Sequence, residues 1–305
     1  MIVVVCPGQG SQTPGFLVPW LEDPAFAAGL DAMSAASGLD LVKYGTVSDA
    51  DTIRDTAVAQ PLIVAAGILT LSALFADGRR DRVAGIAGHS VGEITAAAGA
   101  GILNDADALG FVRERGAAMA EAAALEPSGM SAVLGGDEAE LLTLLAELGL
   151  EPANFNGGGQ VVVAGAIDAL ARLAAAPPAR SRVIPLQVAG AFHTRYMQPA
   201  VASLSAVAAR LTPSDPTLPI WTNRDGSQVA DGARFVGYLV DQVSSPVRWD
   251  MCMQSFEAAG VTGIIEVAPA GALVGLAKRA LKGVPSVAIK TPDDLPAAFA
   301  LIDQQ

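Results

Sequence analysis

The chain has 305 residues, 51% of them hydrophobic and 16% charged, so it can bury a large core, with many elements covered on more than one face. Its formal charge of −12 works against binding nucleic acid or an anionic membrane, both of which need a basic face, and neither is expected as a partner. The two cysteines, Cys6 and Cys252, lie far apart, and no Cys or His stands at metal-ligand spacing; no disulfide framework or zinc site is expected, and the compartment is read as the cytoplasm.

Ile2 to Cys6 predicts a β-branched first core strand, without the basic flank of a signal peptide. Pro7-Gly8-Gln9-Gly10-Ser11-Gln12 ends it in a turn. That turn fits neither a phosphate loop, which closes on Gly-Lys-Ser/Thr, nor the dinucleotide fingerprint. Donation of backbone N–H groups is a better use for it. Helices are predicted over 24–37 and 57–76. The second is uncharged over nearly the length of a membrane span, yet Gln60-Pro61, Gly67 and its many alanines suit a helix buried in protein.

Between the apolar run Val83 to Ala87 and the small-residue run Ile94 to Ile102 stands Gly88-His89-Ser90-Val91-Gly92-Glu93. Strand, sharp turn and helix around Gly-x-Ser-x-Gly form a nucleophile elbow, in which a strained turn lifts the serine hydroxyl clear of the sheet. With 32 glycines in the chain the pattern by itself also fits a loop. In an elbow, side chains at Gly88 or Gly92 would strike neighbouring backbone. The N-terminus of the following helix would stabilise negative charge on a substrate oxygen. A helix over 105–124 then places Arg115 and Met119 on one face, although most arginines in such a pattern are solvated charges.

From 128 to 188 the texture changes. Strands over 129–134, 152–156, 160–164 and 182–188, with helices over 137–148 and 167–175, make the order βαββαβ of a ferredoxin-like unit. The fold class is therefore α/β: a large α/β-hydrolase-like domain with a mostly parallel sheet, residues 1–127 and 190–305, and an inserted ferredoxin-like subdomain, residues 128–189. The large domain resumes with Gly190-Ala191-Phe192-His193, a helix over 196–210, a strand over 220–222 and a helix over 233–243. Pro246-Val247-Arg248-Trp249 leads into a further helix, followed by a strand over 264–267. A helix over 273–281 carries Lys278 and Arg279 and, one residue on, Lys282; spacing by four puts Lys278 and Lys282 on one face. A strand over 287–289 closes the sheet.

A serine hydroxyl becomes a useful nucleophile when a base takes its proton, and histidine suits that near neutral pH. The chain has two histidines. His89 adjoins Ser90 at a strand end, where successive side chains point to opposite faces, which leaves His193 as the base. No acidic third member of a triad is positioned by the sequence. The α/β-hydrolase order, with histidine late in the chain, is not met, because His193 is followed by 305 − 193 = 112 residues.

Taken together, Gly8-Gln9-Gly10-Ser11-Gln12, the elbow, Arg115-Gly116, Gly190-Ala191-Phe192-His193 and Gln242 with Pro246-Val247-Arg248-Trp249 resemble the malonyl-CoA:acyl carrier protein transacylase family. The resemblance spans essentially the whole chain and is strongest to actinobacterial, Streptomyces-like members. It implies that Ser90 is acylated, that His193 is the base, and that the backbone carbonyl of Gln242 orients His193. It further implies an oxyanion hole from the N–H groups of Gln9 and Val91, and an Arg115 that grips the malonyl carboxylate. Met119 and Phe192 would line the acyl pocket, Phe192 making methylmalonyl a poor fit. The implied partners are malonyl-CoA and holo acyl carrier protein, in fatty-acid or polyketide synthesis, with no metal or other cofactor and a monomeric enzyme. Lys278, Arg279 and Lys282 are candidates for docking an acidic carrier, and equally for an ordinary solvated helix end. The competing enzyme reading is a serine hydrolase or thioesterase using the same Ser-His pair; the presence of both residues speaks against a non-catalytic carrier-binding module.

Overall fold

The computed structural model describes residues 1–304. In chain order its strands are β1 (Ile2–Cys6), β2 (Val83–Gly88), β3 (Ser128–Gly135), β4 (Glu151–Gly157), β5 (Gln160–Ala166), β6 (Ser181–Pro185), β7 (Ile220–Trp221), β8 (Val247–Arg248), β9 (Gly263–Glu266) and β10 (Ser286–Ala288). β10-β9-β1-β2-β7 form a parallel sheet. Its central strand is apolar on both faces because both are covered. Ile2, Val4 and Cys6 join the core that holds the Thr56–Leu74 helix, while Val3 and Val5 pack with Trp249, Phe256 and Leu273 on the other side.

The Thr56–Leu74 helix is long and apolar enough to cross a membrane by composition, but it is mostly buried within the fold. Its uniformly apolar surface follows from being surrounded. Gly67 lets it approach the next layer: a Cβ there would lie 2.7 Å from Thr95 Cγ2.

The second sheet runs β6-β3-β5-β4-β8. Its first four strands are antiparallel neighbours in the spatial order of a ferredoxin-like βαββαβ unit. The helices Glu138–Leu148 and Ile167–Ala175 cover one face through Leu141, Leu145 and Leu173. On the other face Met130, Ala132 and Val162 belong to the main core. The sheet has a fifth strand that the periodicity did not predict. β8, two residues from the large part of the chain, pairs in parallel with β4 and ties the two sheets' scaffolds together.

Three short helices also escaped the sequence pattern: Leu41–Thr46, Ala50–Arg54 and the C-terminal Leu295–Asp303. The first two are too short to show a period and are held by side-chain caps from Asp40 and Asp49. The helix expected over 273–281 spans Ala272–Ala280. Leu281 is already non-helical, and Gly283, at φ 85°, turns the chain away. Lys282 therefore lies beyond the helix, and the face it was expected to share with Lys278 does not exist.

Candidate active site

β1 and β2 run in parallel, so the loop after Cys6 and the elbow after Gly88 leave the sheet at the same edge, where open α/β sheets hold their ligands. The glycines of the elbow are required by space. A Cβ on Gly88 would stand 2.0 Å from the carbonyl carbon of Gly92, and one on Gly92 would stand 2.1 Å from the Cys6 carbonyl oxygen. Ser90 adopts a left-handed backbone, φ 53°, and so does His193, φ 63°. Such a conformation costs a non-glycine residue about 1–2 kcal/mol, which the surrounding hydrogen bonds must offset. The Ser90 N–H donates to Asn223 Oδ1 at 2.7 Å, and Asn223 Nδ2 donates to the Gly88 carbonyl at 2.7 Å. At the other residue, the His193 N–H donates to the Val243 carbonyl at 3.0 Å.

Ser90 Oγ lies 2.7 Å from His193 Nε2, and His193 Nδ1 lies 2.9 Å from the Gln242 carbonyl oxygen. A carbonyl can only accept, so Nδ1 carries the proton and Nε2 presents a lone pair to the serine hydroxyl. This carbonyl occupies the place of a triad carboxylate. His89 points elsewhere, its Nε2 2.9 Å from Asn156 Oδ1 and its ring edge against Trp249.

His193 is 4% exposed, and burial together with the Arg115 charge pushes its pKa down to about 3. The ring is therefore neutral, and able to act as a base, far below the usual histidine range. Acylation of Ser90 is expected to keep its kcat/KM nearly level from about pH 7 to about pH 5, because the basic form is lost only near the lower value. A decline centred near the ordinary histidine pKa of about 6.5 would mean a solvated ring.

Arg115 is 1% exposed. Its Nη1 donates to Gln60 Oε1 at 2.6 Å, and its Nη2 donates to Gln242 Oε1 at 2.9 Å and to Ser90 Oγ at 3.4 Å. Burial lowers its pKa to about 10, opposed by the Glu93 charge, so the guanidinium stays protonated at neutral pH. Among the described residues no ion pair involves it. A buried cation on neutral acceptors, beside the Ser90 hydroxyl, has the chemistry to hold an anionic ligand. Gly116 brings its helix close to the Thr56–Leu74 helix, since a Cβ would lie 2.9 Å from the Thr56 carbonyl oxygen.

A cavity of about 590 Å³ opens over the pair, with Gln9, Val91, Met119 and Phe192 in its wall beside Arg115 and His193. The Gln9 side chain is tied down, donating to the Arg54 carbonyl at 2.9 Å and accepting from Thr56 Oγ1 at 3.1 Å. Among the described residues the backbone N–H groups of Gln9 and Val91 meet no acceptor, which leaves both for a substrate oxygen. Arg279 reaches the cavity wall, its Nη2 3.4 Å from Gln160 Oε1; Lys278 and Lys282 are exposed outside it. Of the three cations considered for docking, Arg279 is the one that lines this cavity. No group of three His, Cys, Asp or Glu among the described residues is placed to hold a metal.

Three residues of this site were not singled out from the sequence: Gln60, Glu93 and Asn223. Gln60 had a signal, as a polar side chain in an uncharged helix, and so did Glu93, an acid followed by a run of small residues. Asn223 had none.

The family described as the acyl transferase domain matches residues 3–292, a span that takes in both sheets. The malonyl CoA-acyl carrier protein transacylase of Mycobacterium tuberculosis is 51% identical over 299 residues, covering 97% of this chain and 98% of that protein. The chain belongs to the malonyl-CoA:acyl carrier protein transacylase family. The transacylase of the same name from Escherichia coli K12 is 34% identical over 304 residues, covering 97% of this chain and 98% of its own length. Among solved structures, MCAT from Mycobacterium tuberculosis superposes with a TM-score of 0.94 at 49% identity, over 98% of this chain and 99% of that one. A malonyl-transacylase in complex with a type II PKS acyl-carrier protein gives a TM-score of 0.92 at 28% identity, over 98% of this chain and 99% of that one. The transacylase fold is thus shared across relatives of widely different identity, and the mycobacterial relatives agree with the actinobacterial resemblance.

Proposed function

We infer that this chain moves a malonyl group from malonyl-CoA to the phosphopantetheine thiol of holo acyl carrier protein, through a malonyl ester on Ser90. The observation that carries this reading is Arg115, a buried cation with Nη2 3.4 Å from Ser90 Oγ. A planar guanidinium binds a carboxylate through two parallel hydrogen bonds, and burial makes that pairing selective for an acyl group that ends in a charge. A hydrolase of neutral esters has no use for it.

In the first half-reaction His193 Nε2 takes the Ser90 proton as Oγ attacks the thioester carbon. The oxygen that becomes negative is held by the Gln9 and Val91 N–H groups. The C–S bond then breaks, and the proton on His193 leaves with the CoA thiol. In the second half-reaction the carrier's thiol gives its proton to His193 and attacks the malonyl ester, and Ser90 Oγ departs with that proton. No oxidation state changes, so neither step calls for a redox cofactor. Phe192 and Met119 narrow the acyl end of the cavity and favour malonyl over methylmalonyl, a one-carbon difference worth about 1–3 kcal/mol.

Release of CoA with and without holo carrier protein tests the reading. Without carrier, a burst of about one CoA per active site is expected, followed by a slow phase; sustained release is expected only when carrier is added. Continuous release without carrier would make the chain a thioesterase.

For the carrier we take the exposed Lys278 and the Arg279 at the cavity wall as the docking cations. Reversing both to Glu is expected to slow the second half-reaction several-fold and steepen its salt dependence, while Lys282→Glu does much less. Equal loss in both half-reactions, or in neither, would place docking elsewhere.

A further inference from the structure

Glu93 has no place in the chemistry above, yet it is 1% exposed beneath the site. Its two oxygens are both acceptors: Oε1 takes the Asn223 backbone N–H at 2.6 Å, and Oε2 takes the Gln242 side-chain Nε2. Each donor leads on to the site. Gln242 presents its Oε1 to Arg115 at 2.9 Å, and Asn223 holds the Ser90 N–H at 2.7 Å. Glu93 lines no part of the substrate cavity. With Asn223 and Gln242 it lines instead a second cavity of about 360 Å³.

We propose that Glu93 is the positioning residue of the carboxylate clamp, setting the direction of the Gln242 amide and, through it, the aim of Arg115. The argument is one of donor and acceptor parity and rests on the malonyl reading given above. Arg115 carries donors only, so Gln242 must turn its oxygen toward it, which turns the amide nitrogen toward Glu93. A group that accepts at both ends of its fork is needed there. A carboxylate does so with both of its oxygens; a carboxamide accepts at one end and donates at the other. With glutamine at this position a donor is set against a donor, and the contact of Gln242 Nε2 with Asn223 Oδ1, at 3.4 Å, is too long to hold the amide by itself. Either the Gln242 amide reverses and points its NH₂ at the guanidinium, or the Asn223 N–H loses its acceptor. The first swings Arg115 away from the nucleophile. Burial pushes the Glu93 carboxyl up to about 8, while the donors of Asn223 and Thr222 and the Arg115 charge favour the ionised, two-acceptor form.

The test measures kcat/KM for malonyl-CoA and for acetyl-CoA in the wild type, Glu93→Gln, Arg115→Ala and the double variant, with thermal unfolding as a check on the fold. Acetyl has no carboxylate to aim at, so the malonyl-to-acetyl ratio isolates the clamp from general damage. Glu93→Gln is expected to lower that ratio about tenfold, and to lower it less than twofold further once Arg115 is gone. An unchanged ratio, equal losses for both acyl groups, or full additivity with Arg115→Ala would overturn the proposal. Should Glu93→Gln fail to fold, Gln242→Met removes the same relay while keeping the carbonyl that faces His193, and retention of the wild-type ratio there overturns it equally. A wild type without malonyl preference would instead remove the reading beneath it. A normal wild type and Arg115→Ala, with the ratio kept in Glu93→Gln, would remove this proposal alone.

Discussion

Ser90→Ala is expected to abolish the acyl-enzyme and to leave the protein folded. The hydroxyl is the group that His193 Nε2 faces at 2.7 Å, and alanine removes it while keeping the Cβ, so the left-handed turn at φ 53° is neither relieved nor worsened. What the native state loses is the hydrogen bond to His193 Nε2 and the longer one from Arg115 Nη2, each worth about 1 kcal/mol. The rate loss is of another order. Removal of a covalent nucleophile that acts as a unit with its base costs about 10⁴-fold or more, at least about 5 kcal/mol in barrier height. Intact-protein mass after brief exposure to malonyl-CoA reads the result directly. A malonyl adduct that persists in Ser90→Ala would overturn the assignment of the nucleophile, whatever the residual turnover.

Arg115→Ala is expected to lose malonyl transfer by about 10²- to 10⁴-fold while acetyl transfer holds or rises. The guanidinium is buried on Gln60 and Gln242 with no carboxylate partner of its own, so its removal leaves a malonyl carboxylate with no counter-charge in a closed site. Breaking one side of a buried charge pair costs about 3–5 kcal/mol, which sets that range. Acetyl brings no charge and gains the space that the side chain vacates. Specificity constants for the two donors, measured on the same preparation, decide the matter: equal losses would make Arg115 a structural residue. Arg115→Lys is expected to fall between, since it keeps the charge and loses the planar fork.

The contrast between these two residues shows how far a sequence reaches. Ser90 was legible because its constraints are local. Gly88 and Gly92 must be glycine to let the strand reverse within a few residues, and a local steric demand writes itself into neighbouring positions. The ferredoxin-like insert was legible for a similar reason, since strands and helices each carry their own period. His193 was reached by elimination, because the chain holds two histidines and one faces away.

What the tertiary structure decided lies where residue identity carries no information or where partners are far apart in the chain. The group that orients His193 is a backbone carbonyl, which any residue at position 242 would supply; residue type cannot announce it, and the sequence pointed to Gln242 only through the family resemblance. Gln60, Glu93 and Asn223 meet around Arg115 and Ser90 from three separate elements, brought together by the packing of helices onto the sheet and not by spacing. β8 is two residues long, below any period, and is a strand because β4 lies beside it. Lys282 went the other way: spacing by four put it on a face with Lys278, but the helix ends at Ala280 and the chain turns at Gly283. Spacing fixes a shared face only while the helix continues, and where it stops is settled by the turn and by what the last residues pack against.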